Sequence, residues 1–542
     1  MKLSPRIFII SFTLAIAFSF SNLINADTII EFEELQFHST IIEFEELQFH
    51  SKFEESVFNE FKKTDRFDYF KLFLAVDKKI TNKDYNIFIQ LFNYQLNFFQ
   101  KNELKKYRPK KKIKKIYSSI HKTMLDKYVE KALFSSIFTD KEYQCVTASM
   151  LYSLFFEELE IPYNIEYIPR HIYLTAFPKS DKIHVETTNP NKGVFIYNSQ
   201  YKSSFIEHLR NNKLISKNEY ETKSTDELFQ EYYLQTKHIN KKELAGTLYY
   251  NLGIKYLEKT DIENSYISFL KSYYLFPSEQ NKYFLSLSLS LLIDKTRAAD
   301  VNYAKYLNQL SKLTAAYINI DMITGLFNNV TYQQLIVNGN LTMYKTSYKT
   351  IIKNISDTSL LLELEFVYSS AMGNQMVKRN KYKQAQNYYK KALQIKVNNS
   401  SVQEALISVI TSEMLTYYGR ASELRQYQDT INSIVNKYPS LQNNVRISNL
   451  KLNISLNLMS SYYQEKNIPE AKKQQQIFES IADQANEIFS YAVEENIETA
   501  YSAAAVYYYK RGHNKTAKSV INKGLHYCPN NYRLKMRLDA LK

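Results

Sequence analysis

Glycine, proline and tryptophan are in short supply in this chain. Its 542 residues include nine Gly, ten Pro and no Trp. Tight turns depend on glycine, which reaches positive φ freely, and on proline, which fixes φ. A β sandwich needs a turn every few residues, so this scarcity argues against a loop-rich β protein. The composition therefore predicts a mostly helical chain.

Cysteine is also scarce, with only Cys145 and Cys528 present. Two cysteines exclude a disulfide framework, and because they fall in different predicted domains we expect no bridge between them. We interpret Cys528, which precedes Pro529, as a packing residue. Histidine and cysteine are too few and too scattered to form a metal-ligand set, so neither a metal nor another cofactor is implied.

The first residues have the order of a secretory signal peptide. Lys2 and Arg6 precede the apolar run Ile7–Phe20, and a small-residue cleavage point follows at Ala26. The run is shorter than the about 20 residues that span a bilayer. We therefore predict a signal peptide over residues 1–26 and an exported protein, periplasmic or extracellular if bacterial. An uncleaved anchor is the alternative, and no other transmembrane span is expected.

An exact duplication follows the predicted signal peptide. Residues Thr28–Ser39 read TIIEFEELQFHS, and Thr40–Ser51 repeat the same twelve letters. The unit is acidic and apolar, with no further pattern. We predict that residues 27–51 are loose and assign them no function.

The chain is basic, with a formal net charge of +15. The positive charge is densest over Lys105–Lys115. Such a cluster is typical of a contact for phosphate, anionic lipid or an acidic polymer. The simpler interpretation is a solvated linker followed by the exposed start of a helix. No nucleic-acid motif accompanies the cluster, so no nucleic-acid partner is expected.

The stretch Tyr143–Gly193 carries the clearest pattern. Cys145 opens an apolar run with helical spacing, and Pro162 ends that helix. Strand-like runs then follow at Tyr163–Ile168, Ile172–Phe177 and Ile183–Thr188. Residues 52–142 carry helical periodicity, including a run predicted as helix over Ile113–Phe138. Residues 196–240 have a mixed helical pattern, in which Ser224 and Glu227 have the spacing of a capping box.

Three residues of this stretch suggest a cysteine nucleophile. Cys145 at a helix N-terminus faces the positive end of the helix dipole, which favours the thiolate. His171 would act as the base and Glu186 would orient its ring. Neighbouring antiparallel strands would place His171 and Glu186 side by side. His184 is a rival base, because alternation puts it on the same strand face as Glu186.

Three sequence blocks carry a resemblance to a known family. They read Y-x-C-V-x-A-S-x-L-Y, P-x-H-x-Y-L and E-T-T-x-P-x-x-G. The matching residues are Tyr143, Cys145, Val146, Ala148, Ser149, Leu151, Tyr152, Pro169, His171, Tyr173, Leu174, Glu186, Thr187, Thr188, Pro190 and Gly193. The stretch resembles the transglutaminase-like (cysteine-protease-like) superfamily, in a bacterial exported type. The usual third member of that family's triad is Asp, so Glu186 is a departure.

The resemblance implies a fold and an activity. It implies an α+β, papain-like domain with a helical preface over residues 52–240. Cys145, His171 and Glu186 would be its catalytic residues, in thiol acyl transfer or amide hydrolysis. Such domains also occur without catalysis, so a non-catalytic interaction or scaffold protein with a relic domain is the alternative.

From residue 241 onward the chain resembles tetratricopeptide repeats, whose period is about 34 residues. The best match is 246–279, where Tyr249, Gly253 and Phe269 occupy marked positions. Further matches are 366–399 and 498–531, with weaker ones at 408–441 and 452–485. Residues 280–365 are poorly marked but helical. The resemblance implies an α-solenoid over 241–542 that binds a protein or peptide partner.

Overall fold

The computed structural model describes residues 42–101, 104–168, 171–211, 214–234, 236–313, 318–415, 421–442, 444–484 and 491–541. The predicted signal peptide and the first copy of the duplicated segment lie outside these ranges. The prediction of a mostly helical chain is confirmed, with one small sheet among the helices. Contacts divide the chain into two units, the first ending at Ile318 and the second beginning at Asn319. Among the described residues, no helix is long and apolar enough to cross a membrane.

Helices come first, as the periodicity predicted. Helices α1 to α4 span Lys52–Thr64, Tyr69–Ala75, Asn82–Lys101 and Pro109–Thr123. The Ser51 hydroxyl accepts the Glu54 amide at 3.1 Å and so begins α1. Phe53, Val57 and Phe58 lie on its buried face. These helices form the preface to the sheet.

The helix predicted over Ile113–Phe138 is wrong beyond Thr123. A two-residue strand β1 (Lys127–Tyr128), a short helix α5 (Ser136–Thr139) and a strand β2 (Glu142–Tyr143) follow instead, and β1 pairs in parallel with β2. The Val129 amide donates to the Tyr143 carbonyl at 2.8 Å. These tertiary hydrogen bonds override the apolar periodicity, and they tether the backbone just before Cys145.

The five-stranded sheet has the order β6-β5-β4-β3-β7, and every neighbouring pair is antiparallel. Helix α6 precedes it at Cys145–Glu158. The strands β3 to β6 span Tyr163–Ile168, His171–Ala176, Ile183–Val185 and Val194–Phe195. Helices α7 to α9 follow at Ser199–Asn211, Lys217–Thr222 and Thr225–Phe229. Strand β7, at Lys237–Ile239, comes last. The three predicted strands are present, although the third, predicted over Ile183–Thr188, ends at Val185 and leaves Glu186 in the loop that follows. Strands β6 and β7 were not predicted. Both are too short to show a period of two.

Helices occupy the rest of the chain. In the first unit, α10 to α13 span Lys241–Glu258, Ile262–Leu275, Glu279–Lys295 and Val301–Lys312. In the second unit, α14 to α24 span Ile320–Val330, Leu341–Ile351, Thr358–Lys378, Tyr382–Ile395, Ser400–Leu415, Ala421–Lys437, Val445–Gln464, Ile468–Ala482, Tyr491–Tyr509, Asn514–Tyr527 and Tyr532–Asp539. Each of the five predicted repeats coincides with two successive helices.

The first predicted repeat belongs to the first unit, although the sequence placed a boundary near residue 240. A buried ion pair joins Glu54 of α1 to Lys271 of α11, and both side chains are fully buried. The Tyr249 hydroxyl of α10 donates to the same carboxylate at 2.6 Å. Two buried charges need each other as partners, so this contact ties the preface helices to α10 and α11.

The second copy of the duplicated segment is packed, although residues 27–51 were predicted to be loose. Ile42 and Leu47 are buried. The Phe49 ring lies 5.3 Å from the Phe58 ring of α1. The copy therefore covers apolar surface of the first unit, which its alternating acidic and apolar letters do not reveal.

Gly253 permits a close approach between α10 and α11. A β-carbon added there would lie 2.6 Å from the Phe269 ring, which is itself held 5.3 Å from the Phe284 ring. Gly373 stands in the same relation to Tyr389 in the second unit, at 2.4 Å. The same contact thus recurs in both units: a small residue on one helix leaves space that an aromatic ring of the paired helix fills. This contact is the physical reason for the small and aromatic positions of the repeat pattern.

The first prediction compares two helical glycines. Gly253→Ala should lower stability by about 1–3 kcal/mol, because the added methyl overpacks the contact with Phe269. Gly325→Ala is the matched control. Nothing lies within 4 Å of the added carbon there, so better helix propensity should raise stability by up to about 1 kcal/mol. Calorimetric unfolding of the full chain measures both changes, and equal shifts would contradict the assigned contact.

Candidate functional site

Cys145 is the first residue of α6, as predicted. The residue before it, Gln144, is held in place by two hydrogen bonds: its side-chain amide donates to the Ala132 carbonyl at 2.9 Å, and its backbone amide donates to the Thr147 hydroxyl at 2.9 Å. The first amides of a helix have no acceptor within the helix. Cys145 therefore sits at the positive end of the α6 dipole, and it is partly exposed.

His171 begins β4, and its ring lies between two site residues. Its Nε2 atom is 2.7 Å from Glu186 Oε2, so the expected hydrogen bond between these residues is present. The Cys145 side chain is near enough to the same ring to raise its pKa. Because Glu186 occupies Nε2, the remaining nitrogen, Nδ1, is the one available to sulfur. Pro169, which precedes His171 in the motif, lies outside the described residues.

The surroundings of His171 stabilise its charged form. Hydrogen bonds with Cys145 and then with Glu186 raise the pKa of His171 from 6.5 to about 10, and they outweigh burial, which acts in the opposite direction. The ring is therefore an imidazolium at neutral pH. Because the pKa is higher in the folded chain, this contribution to stability is complete below pH 6.5 and is lost as the pH rises through about 10.

Glu186 lies one residue beyond β5 and uses both carboxylate oxygens. Oε2 meets His171, and Oε1 accepts the Thr188 amide at 3.2 Å and the Thr188 hydroxyl at 2.7 Å. Burial by itself raises the pKa of Glu186, but hydrogen bonds from His171, His184 and Thr188 lower it well below its usual range. The carboxylate is thus ionised and fixed in orientation, and the longer reach of glutamate is taken up by its position beyond the strand.

His184, the rival base, has a different environment. It is buried, and its Nε2 atom lies 4.0 Å from Glu186 Oε2. Its ring packs between Tyr173, at 4.1 Å, and Phe195, at 4.4 Å. Of the two histidines, His171 therefore makes the 2.7 Å hydrogen bond to Glu186. His184 lies farther from the carboxylate and is held in an aromatic cluster.

Tyr117 of α4 braces the loop that carries Glu186. Its hydroxyl lies 2.6 Å from the Glu186 carbonyl and 2.7 Å from the Asn189 carbonyl. Gly193 makes this arrangement possible, because a β-carbon there would lie 2.0 Å from the Tyr117 hydroxyl. The Glu186 amide in turn donates to the Gly193 carbonyl at 2.7 Å. Sequence reasoning missed Tyr117, because it falls on the buried face of α4 and looks like any core aromatic.

Thr187 links this loop to the helix that begins with Cys145. Its hydroxyl oxygen lies 3.4 Å from the Ser149 hydroxyl and 3.5 Å from the Cys145 carbonyl. Ser149 belongs to the first sequence block and Thr187 to the third. The described parts of the three blocks, distant in the sequence, thus meet at one place.

The second cysteine has the environment expected of a packing residue. Cys528 is buried, and burial, with Glu494 and Glu498 nearby, raises its pKa to about 12. It is therefore protonated at neutral pH and serves as an internal comparison for Cys145. Within the described parts of the chain, no group of three or more His, Cys, Asp or Glu side chains is placed to hold a metal ion.

The second prediction tests the brace. Tyr117→Phe keeps the ring and removes the hydroxyl, so the Glu186 and Asn189 carbonyls lose the one donor that they share and stability should fall by about 1–3 kcal/mol. Tyr94→Phe is the matched control, since Tyr94 is 78% exposed and should lose almost nothing. Urea unfolding measures both variants. If Tyr117→Phe is as stable as the control, the hydroxyl does not hold the Glu186 loop.

No protein-family model matches the chain, and no curated protein is significantly similar to it in sequence. What the site does must therefore be inferred from the geometry around Cys145 and from the motif resemblance.

Proposed function

We propose that this protein is an exported, transglutaminase-like enzyme that acts on amide carbonyls through Cys145. His171 is the acid and base, and Glu186 orients its ring. The observation that carries the proposal is the position of the His171 ring, which has Glu186 on Nε2 at 2.7 Å and Cys145 among the groups that raise its pKa. The α6 start, the small antiparallel sheet and the motif blocks support a papain-like α+β domain over residues 52–240. Export rests on the residue pattern of Lys2–Ala26.

The chemistry proceeds in two halves. The Cys145 thiolate attacks the carbonyl carbon of an amide, and the His171 imidazolium donates its proton to the departing amine, which leaves a thioester on sulfur. Water or an amine then attacks the thioester. His171 takes a proton from this nucleophile, and Cys145 leaves as the thiolate. Transfer to water is hydrolysis, and transfer to an amine forms a new amide.

The charge that develops on the carbonyl oxygen needs a donor. The Cys145 backbone amide, at the first position of α6, has no intrahelical acceptor and points along the positive end of the helix dipole. It is the donor that we assign to the oxyanion. Glu186 stays ionised throughout, because Thr188 and His171 occupy its two oxygens.

The third prediction concerns thiol reactivity at pH 6. Cys145 should react with iodoacetamide much faster than Cys528, because Cys145 is partly exposed near the His171 ring, whereas Cys528 is buried near Glu494 and Glu498. His171→Ala should slow the reaction of Cys145 most, by more than tenfold, since it removes the positive partner. Glu186→Gln should slow it less, since the ring remains. Peptide mass spectrometry against time measures the rates.

Two controls make the comparison decisive. His513→Ala removes an exposed histidine and should leave the Cys145 rate unchanged. In denaturant both cysteines should react equally. If Cys145 in the folded chain reacts as slowly as Cys528, the triad has no chemical role and the domain is a non-catalytic scaffold.

We further propose that the helix pairs bind a protein or peptide partner, as tetratricopeptide repeats would. The support is a cleft of about 510 Å³ between helices of the second unit. Its lining includes four exposed cations, Lys466, Lys510, Arg511 and Arg537. The one carboxylate in the lining, Glu498, pairs with Arg533 at 3.3 Å. A cleft with this charge favours an acidic peptide segment.

The fourth prediction follows from that charge. A fluorescein-labelled octaglutamate should bind the protein at low salt, and octalysine should not. Lys510→Glu combined with Arg511→Glu should weaken octaglutamate binding at least tenfold in an anisotropy titration. Lys515→Glu combined with Lys518→Glu is the matched control outside the lining. Equal weakening by both double variants would mean a general charge effect and no peptide site at the cleft.

A further inference from the structure

Helix α3 exposes an apolar stripe. Ile87, Leu91, Tyr94 and Phe98 recur at helical spacing and are 46%, 46%, 78% and 49% exposed. The neighbouring side of α3 is buried and includes Phe88, Phe92 and Phe99. Single exposed apolar side chains are ordinary on a protein surface, but four in one row form a patch. The patch is therefore a surface that another body covers in use.

The segment from residue 104 to the end of α4 is exclusively basic among its charged residues. Residues 104–123 contain eight Lys and one Arg and no Asp or Glu. Lys111 and Lys115 lie over the Tyr107 ring, at 5.2 and 4.7 Å. In the described ranges, neither these two nor Lys122 lies within ion-pair distance of a carboxylate. Lysines in the first turn of α4 oppose its helix dipole, so helix stability does not account for them.

The stripe and the lysines lie on one surface. Gln95 of α3 donates to the Ser119 hydroxyl at 3.1 Å and accepts from Thr123 at 3.2 Å, so α3 contacts α4 at this point. Helical spacing puts the stripe on the outer side of α3 that borders α4. It also puts Lys111, Lys115 and Lys122 on the side of α4 opposite its buried isoleucines. The lysines thus flank the apolar row.

We propose that this α3–α4 face docks on the surface of a bilayer rich in anionic phospholipid. Cations meet the headgroup phosphates, while tyrosine and aliphatic side chains enter the interfacial layer beneath them. A soluble acidic polymer would use the lysines and leave the apolar row uncovered. A second copy would bring two lysine clusters together and be repelled. The bilayer is the partner that contacts both the lysines and the apolar row.

Docking of this kind is peripheral, and it does not depend on the acyl-transfer chemistry at Cys145. It would hold the protein at a membrane through a part of the chain in which no described helix could span the bilayer. The basic cluster then has a role that the charge pattern alone left open, because the exposed row beside it distinguishes a lipid surface from a plain anion contact.

Vesicle co-sedimentation of the full chain tests the proposal. The protein should bind vesicles made of phosphatidylglycerol and phosphatidylcholine in equal parts and should not bind vesicles of phosphatidylcholine alone. The charge variant carries Lys111→Glu, Lys115→Glu and Lys122→Glu, and its binding should fall at least tenfold. Its matched control carries Lys345→Glu, Lys349→Glu and Lys472→Glu, three exposed lysines of the second unit, and should bind like the wild type.

A second variant separates the bilayer from other partners. Tyr94→Ser combined with Phe98→Ser keeps every charge and should lose vesicle binding as salt rises, at concentrations where the wild type stays bound. If this variant binds as tightly as the wild type, the face is a charge-only contact for acidic polymers and the proposal fails. It also fails if the wild type binds no vesicles, or if light scattering shows a dimer that Tyr94→Ser and Phe98→Ser abolish. Circular dichroism checks that both variants fold.

Discussion

The buried ion pair between Glu54 and Lys271 is the contact on which the first unit depends. Both side chains are fully buried, so each charge has lost its water and needs the other. Burial lowers the pKa of Lys271, and Glu54 opposes that shift. The His50 amide and the Tyr249 hydroxyl also donate to the carboxylate. Removing one partner of such a pair typically costs about 3–5 kcal/mol, so the preface, the duplicated segment and the first helix pair are tied together.

The site around Cys145 is built on that assembled unit. Helix α4 of the preface supplies Tyr117, whose hydroxyl holds the loop of Glu186 from behind. The loop places one carboxylate oxygen on His171, and Thr188 takes the other. An ionised carboxylate and an imidazolium in partly buried surroundings attract each other more strongly than they would in water. The ring is thereby held in the candidate site, which is assembled from residues of three separate parts of the chain.

The same preface presents its other side to solvent. Buried phenylalanines of α3 pack inward, while the row from Ile87 to Phe98 stays exposed beside the lysines of α4. The two helices thus contribute Tyr117 to the site and carry the exposed row. The membrane contact that we propose there would involve side chains of α3 and α4 and no spanning helix from the described part of the chain.

Local sequence patterns were sufficient to predict an element wherever its hydrogen bonds and packing contacts join residues that are close together in the chain. The start of α6 at Cys145, the strands β3 to β5 and the capping box of Ser224 and Glu227 follow from spacing and caps within a few residues. The helix pairs and the close approach at Gly253 follow from a repeat whose small residue faces an aromatic ring. The chain by itself therefore determined the mostly helical architecture, and its motifs predicted the pairing of His171 with Glu186.

Contacts between distant parts of the chain decided the features that no local sequence pattern predicts. The helical periodicity of Ile113–Phe138 continues past Thr123, but the helix ends there. The backbone beyond it donates hydrogen bonds to the carbonyls of Lys141 and Tyr143, which lie farther along the chain. In the sequence, Tyr117 looks like a core aromatic. Only the folded structure shows that its hydroxyl lies beside the carbonyls of the Glu186 loop. The exposed row of α3 is indistinguishable in sequence from a second buried face. In each case the partner lies far along the chain, and burial and hydrogen bonding with that partner outweigh the preference of the local segment.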